Sequence, residues 1–372
     1  MLSVWENETF YTSTDVIIIG AGITGLFTSI EIKTRFPQLR VRVVEGGTYP
    51  RGASVKNAGF ACFGSLSEVL DDIDSEGEDL AFERIENRFK GILKLKQTVD
   101  PGSIDFASDD GFEIFSSNDD TLYQQCVSNL DSINDRLKSI IGFAPYSFVP
   151  NTYGFATSYP LLRIKGEGAL HSGKLVQQLI AKASSLGVIF NFGLEVERFE
   201  RTAGGWRVFG NQHCFDANRL IFATNGFTAA LFPQLDIRPA RGQLLLTEPI
   251  TGFSLKGTFH AQKGYYYFRS LGNRILLGGA RNISPNTENT NCQDVTDEVQ
   301  SALDEFLHTM IIPTKTVDID KRWAGTMAFG SNNEKTPIVE ELESDLIVAA
   351  RLGGMGVAMA PLIAEKIVNQ YF

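Results

Sequence analysis

Residues 15–45 read DVIIIGAGITGLFTSIEIKTRFPQLRVRVVE, and this stretch decides the fold. An apolar run ends at Gly20. Gly20, Gly22 and Gly25 follow at G-x-G-x-x-G spacing. Ile23, Leu26, Phe27 and Ile30 then recur at helical spacing, Pro37 ends that segment, and VRVV reads as a second strand. The period switches from strand to helix to strand within about thirty residues, as a dinucleotide-binding βαβ unit requires. Gly20 permits the tight turn, Gly22 lets a pyrophosphate approach the backbone, and Gly25 lets the helix pack closely on the strand. The helix N-terminus offers free N–H groups and a positive dipole end. Glu45 lies about twenty residues past Gly25, where a carboxylate accepts hydrogen bonds from ribose hydroxyls and disfavours a 2′-phosphate.

Outside this unit, 372 residues allow a large core and predict two domains. The net charge of −10 argues against nucleic acid and against an anionic membrane surface. Cys62, Cys126, Cys214 and Cys292 are scattered without a C-x-x-C, so no zinc site, other metal site or disulfide framework is indicated. No run approaches the ~20 apolar residues of a membrane span, and the polar start is not a signal peptide. A cytoplasmic protein is expected.

Residues 1–14 read as an extended lead-in with Trp5 and Phe10 pinned on the surface. The segment GGTYPRGASVKNAGFACFGSLSE after Glu45 is rich in small residues and reads as backbone threaded against a ligand. Helices are predicted over 80–97, 119–140, 173–186 and 295–309, with strands between them. YYYFRS and RILLGGAR form a hairpin through Leu271-Gly272-Asn273. A final helix follows LGGMGVAMAP, with Pro361 in its first turn or just inside it. The βα alternation does not continue after Glu45. The fold expected is therefore α/β, with a discontinuous Rossmann-like nucleotide domain (1–79, 161–230 and 319–372) and a β-rich α+β substrate domain (80–160 and 231–318).

The chain resembles the D-amino-acid-oxidase superfamily of FAD-dependent oxidoreductases, in its amine-oxidising branch of glycine, sarcosine and γ-glutamylputrescine oxidases. Seven segments carry the likeness over nearly the whole length: 15–26 with Glu45, GASVKNAG at 52–59, ALHSGKLVQQL at 169–179, LIFATNGF at 220–227, RPARGQLLLTE at 238–248, RWAG at 322–325 and GGMGVAMAPLIAEKI at 353–367. The resemblance implies FAD, bound noncovalently, and hydride removal from a carbon beside an amine nitrogen. It also implies cofactor contacts from Gly20, Gly22, Ile23, Thr24, Gly25, Glu45, Gly46, Ser54, Lys56, Asn57, Ala58 and Gly59. Further contacts would come from Val196, Ala223, Thr224, Gly226, Gly325, Gly353, Gly354, Met355, Gly356 and Val357.

Two departures bear on the substrate. Met327-Ala328 stand where relatives place a carboxylate-binding arginine after the W-A-G element. Leu276 stands about where sarcosine-oxidase-like members carry a lysine, which predicts slow reoxidation by O₂ and a different electron acceptor. Candidate substrate-site residues are Tyr265, Tyr267, Arg269 and Lys56, with Arg241 and Arg281 as further anion binders. His171, His213, His260 and His308 read as isolated turn or packing residues. The competing readings are a nicotinamide-dependent dehydrogenase, a nonenzymatic FAD-binding protein, and a tRNA-modifying flavoenzyme, which the charge disfavours.

Overall fold

The computed structural model describes residues 3–210, 213–331 and 334–372. Thr14–Ile19 is a strand, Ile23–Arg35 a helix and Val41–Glu45 a second, parallel strand with Val16 opposite Val41 and Ile19 opposite Val44. They form the centre of the first sheet. Its strand order is Ile338–Glu343, Leu346–Ala350, His213–Phe222, Thr14–Ile19, Val41–Glu45, Ile189–Phe192. The hairpin of Arg198–Thr202 and Gly205–Gly210 extends from His213–Phe222. Alternate residues of the opening run serve two cores. Val16, Ile18 and Val43 meet Leu26, Phe27, Ile30 and the final helix at Ile363 and Ile367. Ile17, Ile19 and Val44 pack with Phe222, Trp206 and Val208 on the other face. Burial on both faces explains why the run is continuously apolar rather than alternating.

The second sheet has the order Ile319–Phe329, Arg238–Thr247, Arg274–Gly279, Tyr266–Leu271, Thr258–Ala261, Gly111–Ile114, Leu161–Ile164, Tyr146–Val149. The expected hairpin is present, with Leu271 paired to Arg274 across Gly272. Here alternation does govern. Phe259, Tyr266, Phe268 and Leu277 pack against Val299, Leu303 and Phe306 of the helix Asp297–Phe306. The opposite face presents Leu244, Leu246, Leu276 and Tyr267 to Ala58 and Phe60 from the first unit. Leu161–Ile164 and Ile319–Phe329 both pair within this second sheet. We propose domain borders that follow sheet membership, near residues 165 and 335, rather than the expected 161 and 319.

Three local readings are corrected. Residues 4–9 form a helix, capped by Ser3 and Glu6, in place of an extended lead-in, and Trp5 and Phe10 are 72% and 63% exposed rather than pinned; residues 1 and 2 lie outside the described ones. Leu66–Glu76 is a helix that begins with a Ser65/Glu68 capping box. Pro361 lies beyond the first turn of the final helix, Gly356–Tyr371, where it forfeits the bond its N–H would give to the Val357 carbonyl. Among the described residues no helix is long and apolar enough to cross a membrane.

One buried ion pair ties the second sheet to its outer loop. Arg241 donates to both oxygens of Glu288, at 2.9 and 2.6 Å, and to the Asp294 carbonyl, and the Glu288 side chain is fully buried. Arg241 is thus a structural residue and not an anion binder. Arg241→Met is expected to lower unfolding stability by about 3–5 kcal/mol, since it strands the carboxylate. Arg241→Met with Glu288→Met should recover most of that loss in urea unfolding.

Candidate active site

The site begins where the first strand ends. Gly20 has φ +105°, and a Cβ there would stand 2.7 Å from the Ala223 carbonyl oxygen. A Cβ on Gly25 would lie 2.0 Å from the Gly20 oxygen, so the helix seats directly on the turn. The helix N-terminus, capped by Gly22, opens into a cavity of about 850 Å³. Ile23 N–H donates to Ser54 Oγ at 2.9 Å. Glu45 is oriented by two backbone donors, Ala21 N to Oε2 and Gly47 N to Oε1, each at 3.0 Å. Each carboxylate oxygen keeps acceptor capacity toward the cavity that Glu45 lines.

The expected cofactor residues come together from distant segments. Gly46, Val196, Ile23 and Thr24 line the cavity together with Glu45. Ala223 and Thr224 follow the His213–Phe222 strand. Ser54, Lys56, Asn57 and Ala58 run along one wall. Gly325 lies against Lys56, and Gly353 through Val357 form the far turn, where the final helix begins. Asn57 has a structural task as well: its amide bonds the carbonyls of Ala53 and Ser54 and accepts from Gly59 N–H and Ser172 Oγ.

Three expected residues do not line the cavity. Gly25 packs helix on turn, Gly226 abuts the Met327 carbonyl, and Gly59 abuts the Leu170 carbonyl. Their small size serves element packing, which motif matching does not distinguish from ligand contact.

The substrate-site expectations divide similarly. Tyr265 and Tyr267 line the cavity, while Tyr266 and Phe268 point into the core, as strand alternation requires. Tyr267 stands over Gly278, makes an edge contact with Phe60, and has its hydroxyl pushed up to about 12 by burial. Lys56 lines the cavity and bonds Gln293, and burial followed by the nearby Arg51 charge lowers its pKa. Arg269 is a correction. It lies off the cavity and donates to the Leu170 carbonyl at 2.9 Å, with burial holding it down to about 10. Arg281 does line the cavity, its guanidinium 4.6 Å from the Phe329 ring centroid. Met327 occupies cavity wall where the clamp arginine was expected, and Ala328 is fully buried behind it. Leu276 is also a correction: it is buried among Ala58, Leu244 and Leu246 and does not face the cavity.

Sequence reading missed one group. His260 is 3% exposed, lines the cavity, and bonds Glu167 Oε2 through Nε2 at 3.2 Å. Cys62 lies beside this pair: its Sγ, an imidazole nitrogen of His260 and a carboxylate oxygen of Glu167 all lie within 4.8 Å of one another. The partners are ninety-three residues apart, on a strand and a turn, so no local spacing announces the pair.

The donor set fits a flavin dinucleotide. A helix N-terminus suits the pyrophosphate, Glu45 the ribose, and the turn at Gly353–Gly356, opening a second helix, an anionic ring edge. The family model described as DAO, FAD dependent oxidoreductase, matches residues 15–370. No curated protein sequence matches the chain. Among solved structures, glycine oxidase from Geobacillus kaustophilus superposes with a TM-score of 0.76 at 19% identity, covering 96% of this chain and 94% of that one. Iminodiacetate oxidase from Chelativorans sp. BNC1 gives 0.72 at 17%, covering 95% and 94%. L-α-glycerophosphate oxidase from Mycoplasma pneumoniae, with FAD bound, gives 0.74 at 16%, covering 96% and 94%. With a match that spans the βαβ unit, both sheets and the final helix, the chain belongs to the DAO family of FAD-dependent oxidoreductases, and FAD is its cofactor.

Proposed function

We propose that this enzyme oxidises a carbon–nitrogen bond of a small amine or amino acid, with FAD held noncovalently. The observation that carries the reading is the shared cavity. The wall with Tyr265, Tyr267, Arg281 and His260 faces the same space as the dinucleotide cradle. Solved relatives of this fold include proteins titled as glycine and iminodiacetate oxidases. When bound, FAD supplies the two-electron acceptor for the hydride. The chain's own residues do the rest. Tyr265 and Tyr267 wall the substrate, Arg281 meets an anionic end, and the N-terminus of the final helix offers N–H groups where negative charge gathers.

The test is anaerobic bleaching of the yellow protein by a panel of amines, amino acids, hydroxy acids and alcohol phosphates. Bleaching by amines or amino acids is expected. Bleaching by an alcohol phosphate or hydroxy acid alone overturns the amine reading, and a flavin that no compound reduces favours a nonenzymatic role.

The electron acceptor is a separate matter. With Leu276 off the cavity, the ground for slow reoxidation falls away. Lys56 lies on the cavity wall, and a cation in a water-poor site stabilises superoxide forming beside it. Lys56→Met is expected to slow reoxidation by O₂ about tenfold or more in stopped flow, with anaerobic reduction changed less than about threefold. Equal reoxidation rates would remove Lys56 from this role.

A further inference from the structure

The His260–Glu167 pair is more than packing. Glu167 is 1% exposed and accepts from four donors: Phe63 and Gly64 N–H at Oε1, at 3.0 and 3.2 Å, and Thr258 Oγ1 and His260 at Oε2, at 3.5 and 3.2 Å. The backbone N–H groups of Phe63 and Gly64 can only donate, so Oε1 accepts; an Oε2 that accepts likewise puts the imidazole proton on Nε2. Nδ1 is then a lone-pair acceptor in the neutral ring. Nδ1 has no protein partner among the described residues, it is not among the sealed unpaired atoms, and its ring lines the cavity. His260 pairs across strands with Tyr267, so both side chains share the cavity face, and Phe60 braces both rings edge-on.

We propose that His260 takes the proton from the substrate nitrogen, with Glu167 as its positioning residue. The proposal rests on the amine reading above. An ammonium group has no lone pair, so hydride loss from its carbon cannot form a C=N bond. In the proton step one N–H bond of the ammonium breaks, its electron pair stays on nitrogen, and an Nδ1–H bond forms. The freed pair closes the C=N bond as hydride leaves to FAD, and the imidazolium so formed faces Glu167.

The surroundings support this. Burial opposes charging His260, but Glu167 by charge and hydrogen bond, with Glu68 and Glu113 beyond it, lifts the ring from 6.5 to about 8. Burial pushes the Cys62 thiol far up and Tyr267 to about 12, so neither competes as a base. Glu113, pushed to about 7 by burial, is spent on Ser65 and Ser67 and does not line the cavity. Arg88, on the cavity's edge, donates to the Phe63 carbonyl.

The test uses holoenzyme labelled with ¹³C,¹⁵N-histidine. The chain has four histidines, and the His260 signal is the one lost in His260→Asn. The neutral ring should carry its proton on Nε2 and titrate near pH 8, with the midpoint at least about one unit lower in Glu167→Gln. Anaerobic reduction by an amine found in the panel should rise with pH through that same midpoint, because the neutral ring is the active form. His260→Asn should lose this break and slow reduction at pH 7 by about 10²-fold. Glu167→Gln should move the break to lower pH, which a merely structural loss would not do. A proton on Nδ1, or wild-type reduction by His260→Asn at pH 7, overturns the proposal. If no amine bleaches the wild type, the amine reading fails first and takes this proposal with it.

Discussion

Gly22→Glu is expected to yield a folded, colourless protein with flavin occupancy below about a tenth. Gly22 caps the helix Ile23–Arg35 and lines the cavity where the helix N–H groups converge. A Cβ there would already stand 3.0 Å from Ser54 Oγ, which accepts from Ile23 N–H. The longer glutamate projects into the space a pyrophosphate would fill and puts an anion against an anion, cancelling the attraction that the helix dipole supplies. The backbone conformation at Gly22 is extended, with φ −69°, so the substitution need not strain the fold. Circular dichroism should stay native. Thermal stability should fall, because binding free energy stabilises the folded state, by about 4 kcal/mol when ligand stands at a thousand times Kd. Full flavin occupancy in the variant would show that the cofactor does not lie across this turn. Gly22→Ala, which adds only the Cβ, should lose less flavin than Gly22→Glu.

The βαβ unit was legible because one local pattern carries its whole chemistry. The period switch, the three glycines and Glu45 are contiguous, and the strand, helix and second strand form where that pattern puts them. The aromatic hairpin was legible for the same reason: strand alternation alone sends Tyr265 and Tyr267 to one side of the sheet. What escaped depends on distant partners. Arg241, Arg269 and Arg281 look alike in sequence, yet a buried Glu288, a Leu170 carbonyl and the open cavity assign them different tasks. His260 gains its meaning from Glu167, and Leu276 loses its expected one because it is packed among Ala58, Leu244 and Leu246. The helix Leu66–Glu76 is a different kind of omission. Its capping box, Ser65 with Glu68, was present in the sequence, but the small residues before it drew the reading toward a loop.

Arg281→Met should weaken carboxylate substrates selectively. Met327 fills the wall where a clamp arginine was expected, and its thioether has neither charge nor donor. Lys56, Lys263 and Lys335 also line the cavity, so a carboxylate meets several cations there. Arg281 lies within electrostatic reach of both Tyr265 and Tyr267, on the wall assigned to substrate. Burial lowers its pKa, against the raising influence of Tyr265, Glu288 and Tyr267. A guanidinium in such a site binds a carboxylate through two parallel bonds that methionine cannot replace. Truncating one side of a desolvated charge pair costs about 2–4 kcal/mol, which corresponds to roughly 30- to 1,000-fold. The expected result is a rise of that size in the concentration of an amino acid needed for half-maximal anaerobic flavin reduction. The matching amine without the carboxylate should shift less than about threefold, since it leaves no anion unpaired. Equal losses for both compounds would mean that Arg281 shapes the cavity without recognising charge. A loss confined to the maximal rate, with half-saturation unchanged, would instead place its contact with the substrate only in the transition state.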